Sequence, residues 1–534
     1  MQKDLFAPSD IRQIENHGLT VKEVMRQMAL FEMPPFYLRL PRPCTPGDGI
    51  RVLTAAEVRF FEGLFEGEKA SRSCMKFVPA SGAASRMFKV LLKFLNRNRS
   101  LKIESLTRQA QSEDSDAGSL LTFFDNINRF AFIHDLDEKV RSAGSSVEKL
   151  VHDGDLKTIL EFLLTDKGLD YSSLPKGLLK FHSYGDGSRT AFEEHLVEAA
   201  SYIADRNGIC KLHFTVSEEH LQAFQSLFER VCDRYEQKKG VSHEIGYSLQ
   251  KTSTDTLAVD PDNLPFRQKD GRLLFRPGGH GALIENLNDL KADMVFIKNI
   301  DNVVPDRLKG ATSQWKKILG GLLIHVQNQA FTHLEALSGE NPHEDLLAEA
   351  MAFARKDLFL VPPETFKTAP PETRRKYLLK MLNRPIRVCG MVRNAGEPGG
   401  GPFWVIDKEG NHSCQIVEMA QIDLQSGEQK RTVAESTHFN PVDLVCGVRD
   451  WKGKPFDLRR FVDPEAVLIS RKSKDGKDLK ALELPGLWNG AMARWNTLFV
   501  EVPPITFNPV KTINDLLRKE HQPQPMRIGA NSHS

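Results

Sequence analysis

Four charged residues that lie far apart in the sequence stand where they could bind a phosphate or a metal ion: Arg86, Lys176, Asp301 and Lys511. Arg86 ends a loop of small residues, PASGAASR, that leads into an apolar helix. The free N–H groups of such a loop can cradle a phosphate, and a guanidinium beside them can clamp it with two hydrogen bonds. The alternative interpretation of the same sequence is a tight strand-to-helix turn with a solvated arginine.

Asp301 lies near the end of the most informative stretch, Phe275 to Asn302. Glycines around Gly279 let the backbone approach a ligand, and a predicted helix begins near His280. An apolar strand pattern then ends in the mainly polar tetrad Asn-Ile-Asp-Asn, which starts at Asn299. Polar groups at the carboxyl end of a buried strand lie where α/β sheets bind ligands. A plain turn followed by a polar strand end remains an alternative.

The two lysines are weaker signals when each is taken by itself. Lys176 stands in a Pro-Lys-Gly loop, where a lysine is most often solvated. Lys511 stands in TFNPVKTINDLL, just before Thr512 and Asp515, which resemble a helix capping box with Asp in place of Glu. A cation gains nothing from the dipole at a helix N-terminus, whereas an anion there is attracted by the lysine and by free N–H groups.

The elements that must position these residues alternate between strands and helices. Such alternation predicts an α/β fold with a mostly parallel sheet that is covered by helices on both faces. The predicted strands begin near Met75 and span Lys211 to Val216, Glu244 to Leu249 and Asp293 to Asn299; the predicted helices include Leu120 to Phe132, Val147 to Leu164, Glu218 to Tyr235 and Thr312 to Leu337.

Pattern changes along the chain predict three parts. Residues 1–74 form a helical segment, with prolines between 34 and 46 that predict an irregular connector. Residues 75–370 carry the alternating pattern, and residues 87–174 within them are predicted to be a helical insertion. Residues 371–534 are β-rich and end in a short helix that is expected to return to the active site.

Composition excludes several classes of function. The chain has 534 residues, 40% hydrophobic and 27% charged, with 72 Lys and Arg against 70 Asp and Glu. This balance gives no reason to expect nucleic acid or a membrane surface as a partner, and no run has the length of a signal peptide or membrane span. Seven scattered cysteines without a Cys-x-x-Cys pair predict reduced thiols and a cytoplasmic location.

Five stretches, taken in order, resemble motifs of the UDP-sugar pyrophosphorylase family of GT-A-like nucleotidyltransferases. PASGAASRM resembles the family's LxGGxGTRM loop, and LPKGLL its Pro-Lys segment. PGGHGAL resembles PPGHGD, FIKNIDN resembles FVSNSDN, and FNPVKTINDLL resembles FLPVKTTSDLL. The whole chain is also similar to a bacterial family of unknown function.

The resemblance implies a GT-A-like fold and transfer of a nucleotidyl group. A sugar 1-phosphate would attack the α-phosphate of a nucleoside triphosphate such as UTP, with release of pyrophosphate. Arg86 would clamp the triphosphate, Lys176 would contact the transferring phosphate, and Lys511 would reach the same phosphates from the C-terminal region. Asp301 would hold Mg²⁺. The implied substrate-binding positions are Gly82, Ser85, Gln250, Gly279, His280, Asn299 and Asn496.

Departures from the motifs keep two other functions open. Ser81 and Ala84 replace loop glycines, which favours a nucleotide- or nucleotide-sugar-binding protein without turnover. The long insertion and the β-rich part suit a scaffold that binds partners. Aromatic and amide side chains between Trp488 and Thr497 suit either sugar recognition or a packed core.

Overall fold

The chain is mixed α/β, with a central sheet and helices around it, as the alternating pattern predicts. The computed structural model describes residues 5–96, 103–112, 114–339, 343–396, 400–440 and 443–523. The described helices are α1 Pro8–Asn16, α2 Val21–Glu32, α3 Ala55–Glu68, α4 Lys89–Leu95, α5 Ile103–Gln111, α6 Ser115–Asp125, α7 Ile133–Ser142, α8 Val147–His152, α9 Leu156–Leu164, α10 Ala191–Ala199, α11 Glu218–Lys239, α12 Leu283–Asn288, α13 Asp306–Leu337, α14 Glu344–Asp357, α15 Pro371–Leu382 and α16 Gly427–Ala434.

Most of the strands are short, and several of them pair outside the central sheet. The described strands are β1 Arg39–Pro43, β2 Thr45–Pro46, β3 Gly49–Arg51, β4 Cys74–Pro79, β5 Lys180–Tyr184, β6 Gly187–Thr190, β7 Ile209–Val216, β8 Ser242–Leu249, β9 Thr256–Leu257, β10 Phe275–Arg276, β11 Met294–Lys298, β12 Ile386–Arg393, β13 Gly401–Ile406, β14 His412–Val417, β15 His438–Phe439, β16 Asp443–Gly447, β17 Leu468–Lys474, β18 Lys477–Glu483 and β19 Asn496–Glu501.

Contacts divide the chain into two compact units, each built from separated segments. Unit 1 consists of Met1–Phe77, Ser248–Lys298 and Gln314–Pro504. Unit 2 consists of Val78–Tyr247, Asn299–Ser313 and Ile505–Ser534. None of the described helices combines the length and the apolar composition needed to cross a membrane.

Unit 1 contains strands in the order β2-β3-β19-β12-β16-β11-β4. Only β16 runs antiparallel to its neighbours here, and the other described pairings of this series are parallel. All five residues of β11 are buried, as expected for a strand covered on both faces. The core around it includes Val295, Ile297, Leu444 and Phe499.

Unit 2 contains the neighbouring strands β7 and β8, the hairpin β5–β6 and the helices α4 to α11. The helical insertion predicted at residues 87–174 packs on aromatic side chains. The Phe130 ring stacks on Phe132 at 5.2 Å, and Tyr171 meets Phe132 edge-on at 5.5 Å. These contacts bury the three aromatic side chains against one another.

Several predictions about local structure were wrong. The helix predicted for Leu120 to Phe132 ends at Asp125 and is followed by the 3₁₀ helix Ile127–Arg129. The helix predicted for Val147 to Leu164 is two helices, because Gly154 adopts φ +73° and Asp155 then caps α9 by accepting from Thr158 N at 3.3 Å. The proline-rich stretch predicted as an irregular connector contains β1 and β2. Pro43 and Pro46 stand at strand ends, and Pro41 lies at a register irregularity of the edge strand β1, so their missing N–H groups leave the pairing intact.

Candidate functional site

The Asp301 carboxylate in unit 2 binds two lysines that are remote in sequence. Its Oδ2 accepts from Lys176 Nζ at 2.8 Å and from Lys511 Nζ at 3.1 Å. Lys176 Nζ also donates to the carbonyl oxygen of Val510 at 2.7 Å, and Val510 N donates to the Asp301 carbonyl at 3.1 Å. Three separate segments of the chain therefore meet at one carboxyl group.

Burial differs sharply among the three charged groups. The side chains of Asp301 and Lys176 are 8% and 13% exposed, whereas that of Lys511 is 59% exposed. Burial alone would raise the pKa of Asp301, but the two ammonium groups outweigh it and hold the pKa below its usual value of 3.8. The carboxylate is therefore ionised at neutral pH. Lys176 is held beside it in the protein interior, and Lys511 is open to solvent.

The C-terminal segment that carries Lys511 is held by backbone and side-chain bonds. Asn302 Oδ1 accepts from Asn508 N at 2.9 Å. The N–H groups of Lys511 and Thr512 donate to Asp515 Oδ2 at 2.8 and 2.7 Å, which supplies the predicted cap. The predicted α-helix after it is instead a 3₁₀ helix, Ile513–Leu517.

The small-residue loop and the Pro-Lys segment are direct neighbours, although the insertion separates them in sequence. Ala84 N donates to the Leu174 carbonyl at 3.1 Å, Ala83 bridges to Pro175, and Lys176 N reaches the Gly82 carbonyl at 3.5 Å. This pairing places the backbone before Arg86 beside the backbone that carries Lys176.

Loop residues taken for phosphate or substrate contacts are accessible. Gly82, Ser85 and Arg86 are exposed, and Arg86 forms no hydrogen bond or ion pair within the described residues. Ala84 begins a 3₁₀ helix and is not among the described non-glycine residues with positive φ, so its side chain causes no backbone strain. Replacement of the loop glycine at this position is therefore compatible with the loop.

The predicted glycine-histidine element lies in unit 1 and makes close backbone contacts there. Gly279 adopts φ +77°, which favours glycine. His280 stacks on Trp488 with ring centres 5.1 Å apart, and its Nδ1 accepts from Leu487 N at 3.1 Å. Its Nε2 lies 3.6 Å from a carboxylate oxygen of Glu418. The ring is thus oriented by its neighbours while its side chain stays 37% exposed.

The remaining predicted positions have different surroundings. Gln250 in unit 1 and Asn299 in unit 2 are partly buried. Asn299 closes a turn, because its carbonyl accepts from Asn302 N at 3.1 Å. Asn496 is fully buried in unit 1, and its Nδ2 donates to the Met381 carbonyl at 3.0 Å. This position agrees with the packed-core alternative for the aromatic and amide stretch.

The Asp301 carboxylate has the features of a single protein ligand for Mg²⁺. Its Oδ1 is buried and has no hydrogen-bond partner among the described residues. Within the same residues, no three His, Cys, Asp or Glu side chains are grouped so that they could hold a metal ion. Mg²⁺ often binds through one or two carboxylates together with substrate phosphates and water, so Asp301 fits this ion as one ligand.

A buried ionic cluster in unit 2 was not predicted from the sequence. Arg189 donates to both oxygens of Asp306 at 2.7 and 2.9 Å, and Lys309 binds Glu194. Glu194 also accepts from Tyr184 OH at 2.6 Å. The available signal was α10, AFEEHLVEA, in which consecutive acidic residues and a histidine stand among apolar ones; all nine of its residues are buried.

Two buried histidines extend this cluster to the C-terminal segment. His182 Nδ1 lies 2.9 Å from Glu194 Oε1, and its Nε2 lies 2.9 Å from His521 Nδ1. Burial lowers the pKa of both rings, and that of His521 falls to about 3, with His182, Arg518 and Arg307 adding to the effect and the Asn508 backbone opposing it. His521 is therefore neutral at neutral pH.

The lowered pKa of His521 predicts a loss of stability in mild acid. The unfolded chain takes up a proton near the usual pKa of 6.5, whereas the folded chain does not, so stability is full above pH 6.5 and declines below it. Between pH 8 and pH 5.5, urea denaturation should show wild type losing about 1 kcal/mol more than His521→Gln. The exposed control His152→Gln should follow wild type; parallel curves for all three proteins would contradict the prediction.

The chain is thus a mixed α/β protein with an aspartate that is bound by two lysines from distant segments. It belongs to the family described as "Domain of unknown function (DUF4301)", whose model matches residues 7–522. No curated protein matches the chain.

Several solved structures of UDP-sugar pyrophosphorylases are similar to the chain at low identity. A UDP-N-acetylglucosamine pyrophosphorylase from Trypanosoma brucei, in complex with an inhibitor, is 12% identical with a TM-score of 0.46, covering 97% of this chain and 80% of that chain. A mutant UDP-glucose pyrophosphorylase from Leishmania major is 11% identical with a TM-score of 0.41, covering 95% and 77%. The UDP-glucose phosphorylase from Trypanosoma brucei is 12% identical with a TM-score of 0.41, covering 96% and 80%.

Proposed function

We propose that the protein is a sugar-1-phosphate nucleotidyltransferase that uses a nucleoside triphosphate, with UTP as the first candidate. The observation that carries the proposal is the meeting of Lys176 and Lys511 on Asp301. The sequence supplies independent support, because the Pro-Lys segment, the strand end with Asp301 and the segment with Lys511 each resemble a motif of the same family.

The reaction is one in-line displacement. A phosphate oxygen of the sugar 1-phosphate attacks the α-phosphorus, a new phosphorus–oxygen bond forms, and the bond to the β-phosphate breaks with release of pyrophosphate. No covalent enzyme intermediate is needed, so catalysis depends on positioning and on neutralising charge.

The lysines have different tasks. Lys176 is mostly buried and fixed by Asp301 and Val510, so it presents a preorganised charge to the transferring phosphate. Lys511 is more exposed and turns from Asp301 towards the phosphates as they arrive. Arg86, exposed and without a partner in the described chain, clamps the triphosphate.

Asp301 aligns both ammonium groups through one oxygen, and its other oxygen remains for a metal ion. Mg²⁺, when bound there together with substrate oxygens, supplies further positive charge to the phosphates.

Pyrophosphate release with a panel of nucleoside triphosphates and sugar 1-phosphates tests the proposal. At least one pair should release pyrophosphate only when both substrates are present, and UTP should raise the Tm because it binds the native state. Thermal stabilisation by nucleotide without release from any pair would replace the proposal by nucleotide binding without turnover. If the protein shows neither pyrophosphate release nor stabilisation by nucleotide, the partner-binding scaffold is the function that remains.

A further inference from the structure

A pocket of about 540 Å³ in unit 1 has no part in the proposed reaction. Its walls include the residues just before two parallel strands: 380–384 before β12, and 489–494 before β19. It therefore lies where these strands begin. The motif segment around Asp301, by contrast, follows the carboxyl end of β11, which is parallel to β4. The lining of the pocket contains none of the residues assigned to the Asp301 site.

Three guanidinium groups line this pocket without forming an ion pair in the described part of the chain: Arg39, Arg384 and Arg494. Arg39 and Arg494 are exposed, whereas Arg384 is partly buried and its Nε donates to the Lys380 carbonyl at 3.3 Å. Burial lowers the pKa of Arg384, and Arg494 adds repulsion, while Tyr377, Asp407 and Glu409 oppose the shift. Like charges brought together in this way favour an anionic ligand.

Both lysines that line the pocket are paired with carboxylates. Lys380 pairs with Glu409 at 3.3 Å, and Lys408 pairs with Glu465 at 2.5 Å. Asp407 accepts from the backbone and side-chain nitrogens of Asn411 at 2.8 and 2.7 Å. Asp463 also lines the pocket, and its Oδ1 accepts from Glu465 N at 3.1 Å. Asp407 and Asp463 form no ion pair within the described residues, so three unpaired arginines outnumber two unpaired carboxylates and the lining keeps a net positive charge.

A fourth guanidinium lies in the protein interior next to the pocket. Arg387 is 0% exposed, and its described partners are neutral: it donates to Thr497 Oγ1 at 2.8 Å, to Gln415 Oε1 at 2.9 Å and to the Trp488 carbonyl. A buried cation without a counter-ion creates a strong positive potential around it. Gln415 lines the pocket; its oxygen accepts from Arg387, and its NH₂ group donates to Ser413 Oγ at 3.3 Å and to the Trp495 carbonyl at 3.5 Å.

The pocket also offers groups that suit hydroxyls and a ring. Asn489 is 4% exposed, and its Oδ1 has no hydrogen-bond partner in the described chain. Asn411, Ser413 and Gln415 add further polar groups, and Tyr37 contributes an aromatic ring that is 48% exposed. Amides beside guanidinium groups match a ligand with several hydroxyls and one strongly charged end.

We propose that this pocket binds a phosphorylated sugar, with the phosphate on Arg39, Arg384 and Arg494 and the hydroxyls on Asn489 and the other polar side chains of the lining. The volume exceeds that of a phosphate ion and lies within the range of pockets that enclose small organic ligands. The site is independent of the proposed nucleotidyl transfer and uses none of its residues.

Calorimetric titration with glucose 6-phosphate tests this site. We expect binding to wild type, no binding of glucose, and affinity that is about tenfold weaker in Arg494→Gln and in Arg39→Gln, since each loses a charge-assisted contact. The matched control is Arg471→Gln, an exposed arginine of unit 1 outside the pocket lining. Circular dichroism should show all three variants folded.

A second set of titrations separates this pocket from the Asp301 site. Lys511→Ala should bind glucose 6-phosphate as wild type does. Loss of binding in Lys511→Ala with retention in Arg494→Gln would place the ligand at the Asp301 site and overturn the proposal. Absence of binding to wild type at ~10 mM ligand, or equal affinity for inorganic phosphate, would overturn the assignment to a phosphorylated sugar.

Discussion

Replacing Lys511 by alanine should lower the rate of nucleotidyl transfer about tenfold to a thousandfold. Loss of one charge-assisted contact to a phosphate in the transition state costs about 2–4 kcal/mol. The folded protein should hardly change, because the Lys511 side chain is 59% exposed and its only described polar side-chain contact is with Asp301. Steady-state pyrophosphate release and a thermal melt measure the two effects.

The matched control is Lys519→Ala in the same C-terminal segment. Lys519 is 92% exposed and lies 3.8 Å from Glu520, so its removal takes away one surface charge without touching Asp301. Its rate should equal that of wild type. Equal rates for Lys511→Ala and wild type would remove Lys511 from the reaction and, with it, the reason to bring the C-terminal segment into the mechanism.

Asp301→Asn should remove detectable Mg²⁺-dependent turnover while leaving a folded protein. The amide lacks the charge that aligns Lys176 and Lys511, and it is a poor ligand for Mg²⁺ compared with a carboxylate. Lys176 keeps its bond to the Val510 carbonyl, which limits the structural damage. Breaking a largely buried ion pair still destabilises the fold, by up to about 3 kcal/mol here.

The loss of stability caused by Asp301→Asn should depend on pH in a definite direction. The pKa of Asp301 is lowered in the folded state, so its charge stabilises the fold above the unfolded pKa near 3.8 and ceases to do so as the pH falls through the lower folded value. The stability gap between wild type and Asp301→Asn should therefore be full at neutral pH and narrow in acid. The control for the stability measurement is Asp186→Asn, which changes a surface residue of unit 2. Turnover by Asp301→Asn at the wild-type rate would refute the assignment of Asp301 to the reaction.

Local patterns predicted the parts of the fold that depend on nearby residues. The apolar run of β11 and the cap at Asp515 both appear in the structure. Each depends on a spacing of a few residues, which the sequence displays directly. The direction of β16 could not be predicted in this way. Apolar alternation is the same in parallel and antiparallel strands, and the choice of a neighbouring strand depends on the whole chain.

The site was only partly predictable for the same reason. Motif order indicated that Lys176, Asp301 and Lys511 belong together, but nothing local to Lys176 distinguishes it from a solvated lysine. The buried partners of Glu194 and the burial of Arg387 could not be predicted, since charged residues are normally exposed and their pairing here joins segments that are far apart.

Assembly of unit 2 from three separated segments has a consequence for biosynthesis. Asp301 follows Lys176 by 125 positions and precedes Lys511 by 210. A ribosome adding roughly 5–20 residues per second needs about 20–70 seconds between the first lysine and the last. Once Asp301 has been made, its carboxylate and Lys176 exist without the third group until the segment that carries both Lys511 and His521 follows. The nascent chain therefore depends on a segment made long after the rest of unit 2 to complete the site, and a ribosome that stalls before that segment leaves unit 2 open to chaperones and proteases.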